Sequence, residues 1–208
     1  MKIIALTGGI ATGKSSALKI FRRLGAETID ADEIVGKLYR KESIKEMLVL
    51  NFGGGAVSGN GTVDRKFLAR GVFSDRKSRE LLNALVHPLV DAEIWKKIAK
   101  YRKRHGKSNI KNKKTKNLDL MVVEVPLLYE SKGEKKYDKV VVVGSSKSVQ
   151  LKRLAKLGIS KVEAEKRIGS QMPQGEKAKK ADFVIDNNGS ISELETGVKK
   201  VFQKIIHK

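Results

Sequence analysis

The feature that most narrows the fold is a glycine loop near the N-terminus, Gly8-Gly9-Ile10-Ala11-Thr12-Gly13-Lys14-Ser15, which fits the spacing G-x-x-x-x-G-K-[ST]. Before it, the aliphatic run Lys2 to Leu6 predicts a short buried strand. After it, Ala17, Leu18, Ile20, Phe21 and Leu24 give a helix starting at Lys14 its apolar side, and Gly25 supplies a stop. Strand, glycine turn and helix in that order make a phosphate site. Low side-chain bulk lets backbone N–H groups surround a phosphate chain, and the helix aims the positive end of its dipole at the same anion. Lys14 adds positive charge for the β- and γ-phosphates, and Ser15 offers a hydroxyl to Mg²⁺. The expected nucleotide-binding residues are Gly8, Gly9, Ala11, Thr12, Gly13, Lys14, Ser15 and Ser16. A glycine turn with an incidental Lys-Ser is the alternative, and the strand–helix setting argues against it.

Further along, Glu27 to Ile29 reads as a second strand with Asp30-Ala31-Asp32 at its end. Residues 33–105 read as mainly helical, broken at Gly53-Gly54-Gly55 and at Ser58-Gly59-Asn60-Gly61, with a helix start or kink at Pro88. Leu118 to Val125, Lys139 to Val143 and Asp182 to Ile185 are further strands. Residues 147–172 form two helical stretches parted near Gly158, and Ile191 to Ile206 a final amphipathic helix. Aliphatic strands alternating with helices predict a parallel sheet covered on both faces, with ligands at the C-terminal ends of its strands. Position 124 would then share an edge with the glycine turn and the aspartates.

The chain has 208 residues, 40% of them hydrophobic but only 5% aromatic, so an aliphatic core is expected. It has no run of the roughly 18 apolar residues a membrane span needs, and its first apolar stretch is too short for a signal peptide. A cytoplasmic, membrane-free protein is the expectation. With no cysteine and three scattered histidines, neither a disulfide framework nor a zinc cluster is available. The net charge of +21 is uneven: residues 96–117 hold eleven Lys/Arg and no Asp or Glu. From about Tyr101 to Asn117, Lys, Asn and Gly dominate and apolar periodicity is absent, which predicts a solvated loop or disordered insertion.

Asp32 suits the positioning of an alcohol and acceptance of its proton during phosphoryl transfer, although an aspartate before a helix can equally be a cap. Glu124 is a candidate Mg²⁺ partner acting through a metal-bound water. Arg153, Lys156 and Arg167 lie in the helical pair before the last strand, where a mobile cover needs positive charge. His87, beside Pro88 in an apolar helical setting, is assigned no proton transfer.

Together these segments resemble the dephospho-coenzyme A kinase family over nearly the whole length. Ala5-Leu6-Thr7-Gly8-Gly9-Ile10 running into Gly13-Lys14-Ser15 is similar to its P-loop, and Ile29-Asp30-Ala31-Asp32 to its second-strand motif. Gly61-Thr62-Val63-Asp64-Arg65, Leu68-Ala69, Val72-Phe73 and Leu85-Val86-His87-Pro88-Leu89-Val90 resemble the coenzyme A subdomain, and Val125-Pro126-Leu127-Leu128-Tyr129-Glu130 its P-L-L-[aromatic]-E signature. Gln150-Leu151-Lys152-Arg153 and Arg167-Ile168-Gly169-Ser170-Gln171 resemble the lid, and Ala181 to Gly189 the last strand and turn. The resemblance implies an α/β fold: a P-loop NTPase three-layer α/β/α core with a five-stranded parallel sheet, a helical coenzyme A-binding subdomain and a lid. The implied division of this single domain is a core of about 1–32, 118–146 and 182–208, a substrate subdomain of about 33–100, a basic insertion of about 101–117 and a lid of about 147–175.

The implied activity is ATP- and Mg²⁺-dependent phosphorylation of the ribose 3′-hydroxyl of dephospho-coenzyme A. Asp32 is the implied base, Lys14 and Arg167 its catalytic companions, and Asp32, Arg65 and His87 the acceptor-binding candidates. Three departures matter, one being the basic insertion around 101–117, which matches no motif of the family. Leu154-Ala155-Lys156-Leu157-Gly158 stands where the family's lid commonly carries an Arg-Asp pair, which moves the expectation to Arg167. Glu124 stands where many members have Asp. The competing readings are another small-molecule or nucleotide kinase of the same core, and a nucleic-acid-binding P-loop NTPase gripping the backbone through the basic segment. That segment carries no interleaved aromatics beyond Tyr101, so nucleic acid is not the expected main partner.

Overall fold

The computed structural model describes residues 1–106 and 118–207, without the side chains of residues 72–74. It divides into two compact units, Met1–Asp30 with Arg104–Lys208, and Ala31–Lys103.

The first unit is built on a five-stranded sheet in the order β2-β3-β1-β4-β5, formed by β1 (Lys2–Thr7), β2 (Glu27–Asp30), β3 (Leu120–Glu124), β4 (Lys139–Gly144) and β5 (Phe183–Asp186). Every pairing is parallel. Alternation along the strands divides the core. Ile4, Leu6, Leu120, Val122, Val141 and Val143 pack with Leu18 and Phe21 of α1 (Lys14–Arg23) and Val198 and Phe202 of α9 (Ile191–Ile206). Ala5, Val140 and Val142 pack on the opposite face with Leu128, Tyr129 and Met172. Because both faces are covered, β3 is buried at every residue, and this is why the central strands β1, β3 and β4 read as aliphatic runs. Phe21, fully buried with its ring 6.4 Å from that of Phe202, contributes roughly 1.5–3 kcal/mol by leaving water. The register pairs Leu6 and Asp30 with Glu124, so the ends of β1, β2 and β3 lie side by side.

Three more helices complete this unit: α6 (Lys147–Lys156), α7 (Lys161–Gly169) and α8 (Gln174–Lys180). The first two match the expected helical pair, with Gly158 at φ +75° between them. Sequence reading missed α8, because a seven-residue helix with four charged residues and one buried lysine shows no apolar period.

The second unit holds α2 (Ala31–Leu38), α3 (Glu42–Phe52), α4 (Arg65–Ser74) and most of α5 (Arg76–Gly106), around Ile44, Leu48, Ala56 and Leu68. Pro88 lies inside α5 and does not begin it. The expected loop from Tyr101 is corrected in its first part. Tyr101 is 1% exposed and continues the buried stripe Val86, Val90, Ile94 and Ile98. Lys96, Lys97 and Lys100 between those positions, and Arg102 to Arg104 after them, hid a period that spacing alone supports. The rest of the basic segment, residues 107–117, and the side chains of Val72 and Phe73 lie outside the described residues.

Candidate active site

The chain leaves β1 at the C-terminal edge of the sheet and closes a tight loop before α1. Two glycines are obligatory there. A side chain at Gly8, φ +149°, would overlap the Val143 carbonyl oxygen, and one at Gly13, φ +94°, would overlap the Asn187 amide. Ala11 also takes a positive φ, +57°, a conformation that non-glycine residues adopt at a cost. Inside the loop the Gly9 carbonyl accepts from Lys14 Nζ at 2.9 Å and from Thr12 Oγ1 at 2.9 Å. Lys14 is thereby folded over the cradle, 9% exposed. Gly13 caps α1 without any side-chain bond, and the first turn carries no acid, so no side chain of its own seals the helix start, whose first residue is a lysine.

Ser15 Oγ donates to Glu124 Oε1 at 3.3 Å, joining the loop to the end of β3. Glu124 is 2% exposed. The pair consists of hard oxygen donors, the chemistry Mg²⁺ selects. Among the described residues no group of three or more His, Cys, Asp or Glu could hold a metal, so such an ion would depend on phosphate and water for its other ligands.

The outside of the loop is braced by side chains from the later elements. Gln174 Oε1 accepts from Gly9 N at 3.0 Å and Gln171 Oε1 from Ile10 N at 2.7 Å, while Gln150 Nε2 donates to the Ile10 carbonyl at 2.7 Å. Asn187 Nδ2 donates to the Thr12 carbonyl at 2.7 Å. Arg153 spans the Ala11 carbonyl at 3.1 Å and the Asn187 carbonyl at 2.9 Å. Of the three lid cations, then, Arg153 lies on the loop, Arg167 is paired with Glu163 one turn back on α7, and Lys156 is exposed. The bracing by Gln174 and Asn187 was not legible beforehand. An amide that can donate or accept with equal ease carries no sequence pattern, and only the tertiary fold selects its partner.

In the other unit, Asp32 is exposed in the first turn of α2. Arg65 stacks over the Tyr39 ring, 5.6 Å from its centre, in a pocket of about 240 Å³ that Arg40 and Lys45 also line. Burial pushes the Tyr39 hydroxyl pKa up against the opposing pull of Arg65, so it stays neutral. His87 is half-buried within α5; burial lowers its pKa, with Asp91 acting in the other direction, and the neutral imidazole is favoured. Among the described residues no helix is long and apolar enough to cross a membrane.

A phosphate cradle at the C-terminal edge of a parallel sheet, with its lysine and serine in place, defines a P-loop nucleotide-binding protein. The model of the family described as dephospho-CoA kinase matches residues 2–193. A dephospho-CoA kinase from Symbiobacterium thermophilum is 42% identical over 205 residues, which are 98% of this chain and 81% of that one. Among solved structures, TT1252 from Thermus thermophilus matches with a TM-score of 0.75 at 30% identity, covering 98% of this chain and 97% of its own. A dephospho-CoA kinase from Campylobacter jejuni matches with a TM-score of 0.67 at 28% identity, over 99% and 97%. The chain belongs to the dephospho-CoA kinase family.

Proposed function

We propose that the chain transfers the γ-phosphoryl group of ATP to the ribose 3′-hydroxyl of dephospho-coenzyme A, the last step of coenzyme A biosynthesis. The observation that carries this reading is family membership across residues 2–193 with the phosphate loop intact from Gly8 to Ser15. Backbone N–H groups of Ala11 to Ser16 surround the phosphate chain, with Gly8 and Gly9 leaving room for it. Lys14 exchanges the Gly9 carbonyl for phosphate oxygen and neutralises charge as the γ-group leaves.

Ser15 and Glu124 are the residues that would hold Mg²⁺, Glu124 through a bound water. When bound, the ion screens the β- and γ-phosphate oxygens and lowers the charge that opposes attack. Asp32 orients the acceptor hydroxyl and takes its proton. Arg167, exchanging Glu163 for the transferring group, supplies the lid charge, while Arg153 holds the loop carbonyls. Arg65, with Arg40 and Lys45, offers an anion-binding wall for the acceptor's phosphates, and His87 belongs to the same helical substrate unit. A protein working on these water-soluble substrates needs no membrane, and a cytoplasmic address suits it.

The test is to incubate the protein with ATP, Mg²⁺ and dephospho-coenzyme A and identify the product by mass. Coenzyme A, heavier than the acceptor by one phosphoryl group, is expected; phosphorylation of a nucleoside monophosphate in preference would assign another acceptor. Asp32→Asn should keep ATP affinity while kcat falls by about 10²–10⁴, and near-normal turnover at saturating substrate would remove Asp32 from the mechanism.

A further inference from the structure

The phosphate loop rests on a short strap, residues 171–174, between α7 and α8. Two successive loop amides end on strap side chains, Gly9 N on Gln174 and Ile10 N on Gln171. Gln174 uses its other end as well, donating from Nε2 to the Val143 carbonyl at 3.0 Å. One side chain therefore ties the loop to the end of β4. With their N–H groups taken from outside, the Gly9 and Ile10 peptides are fixed, and the Gly9 carbonyl turns inward to Lys14 and Thr12.

The strap is itself held from the turn after β3. Glu130 Oε1 accepts from Met172 N at 2.9 Å and pairs with Lys177 Nζ at 2.7 Å. Lys177 is 0% exposed. The preceding residue adds to the anchor: Lys180 lies 5.8 Å over the Tyr129 ring, and Met172 packs into the apolar cluster that contains Tyr129. An ammonium removed this far from water stays buried only because a carboxylate meets it, so the pair fixes α8 in one place. Gln174 is the first residue of that helix.

We propose that Gln171 and Gln174 are positioning residues for the nucleotide phosphates, and that the ion pair of buried Lys177 with Glu130 sets them. The chain of contact runs from the Pro126–Glu130 turn through Lys177 to the strap and then to the backbone of the cradle. In this proposal all four act through the backbone of the cradle. Their effect is to hold half of the cradle ready before the triphosphate arrives, so that binding need not order it.

The inference rests on the reading that this loop binds ATP, and the test separates the two. Mg·ATP binding is measured by calorimetry with no acceptor present, on wild type, Gln171→Leu/Gln174→Leu and Lys177→Met, alongside melting temperature and the KM of each substrate. Wild type failing to bind ATP would overturn the reading of the loop itself. Given wild-type binding, losing two loop bonds should weaken ATP by about tenfold. The KM for dephospho-coenzyme A should stay within about twofold, because cradle order does not enter acceptor binding. Lys177→Met should shift the same two quantities in the same pattern. A folded double-leucine variant with wild-type ATP affinity overturns the role of the strap. A folded Lys177→Met variant with wild-type ATP affinity overturns the role of the pair. If Lys177→Met does not fold, Glu130→Gln, which keeps an acceptor for Met172 N, is read in its place. Equal loss in both substrates' KM would reduce all four residues to general stability.

Discussion

Two helices of the sheet unit begin in the same way and are finished differently. Both α1 and α9 follow a parallel strand that has just reached the C-terminal edge, and both face the problem that first-turn N–H groups have no partner within the helix. At α9 the chain solves it internally. Ser190 N donates to Glu193 Oε2 at 2.6 Å while Ser190 Oγ accepts from Glu193 N at 3.3 Å, a complete capping box. At α1 the cap is a glycine, no side chain closes it, and the first helical residue is a lysine. One start is sealed by its own acid; the other leaves that place for an anion from outside. A phosphate that supplies the missing acceptor gains what α9 obtains from Glu193, and this is how the loop couples its own incompleteness to affinity.

The sharpest way to break the comparison is to remove the cation from the open start. Lys14→Met should lower kcat/KM by about two to three orders of magnitude. The same variant tests the coupling directly. At about 100 times its Kd, ATP should stabilise the wild type by about 2.7 kcal/mol, raising the melting temperature by about 5–10 °C for a chain of this size. The rise should vanish in Lys14→Met. A variant that keeps both turnover and the full thermal shift would show that α1 differs from α9 in sequence only.

The open start was legible in the sequence because it depends on local rules. Glycines where φ must be positive, a strand before and an amphipathic run after are all contained within about 25 residues. The central strands β1, β3 and β4 were legible for the same reason, each a short aliphatic run. Features made by distant partners were not. Gln174 reaches Gly9 across 165 positions and Asn187 reaches Thr12 across 175, so nothing near either residue announces the contact. Arg153 and Arg167 look alike as basic residues on a lid, yet one lies on the loop and the other faces Glu163. Tyr101 failed in a different way, its apolar period diluted by neighbouring lysines and arginines until composition outweighed spacing.

The closed start can be weakened without touching the open one. Ser190→Ala removes the hydroxyl that accepts from Glu193 N, and a lost cap of this kind costs about 1 kcal/mol. The melting temperature should fall by about 2–4 °C, while the rise caused by ATP remains that of the wild type. A loss of ATP affinity comparable to that of Lys14→Met would mean that the two helix starts are not independent.

The finest distinction concerns the charge on the cap. Glu193→Gln keeps a side chain able to accept from Ser190 N, so the box survives in outline and only the negative charge beside the helix dipole is lost. The Ser190 backbone N–H, followed by its hydroxyl, holds the Glu193 carboxyl below its usual pKa, against the smaller opposing effects of burial and Asp186. A carboxyl whose pKa is depressed by folding adds stability that is fully present above its unfolded value and is lost as pH falls through the folded one. Wild type should therefore melt slightly above Glu193→Gln at pH 7, and the two curves should converge as the medium is taken below the lowered pKa of Glu193, where both side chains are neutral. Melting curves of the two proteins from pH 7 into the acid range measure this, and a gap that persists unchanged through the titration would assign the difference to shape and not to charge. The corresponding position at α1 carries no carboxylate to titrate, so the acid limb of ATP binding should be the same in both proteins.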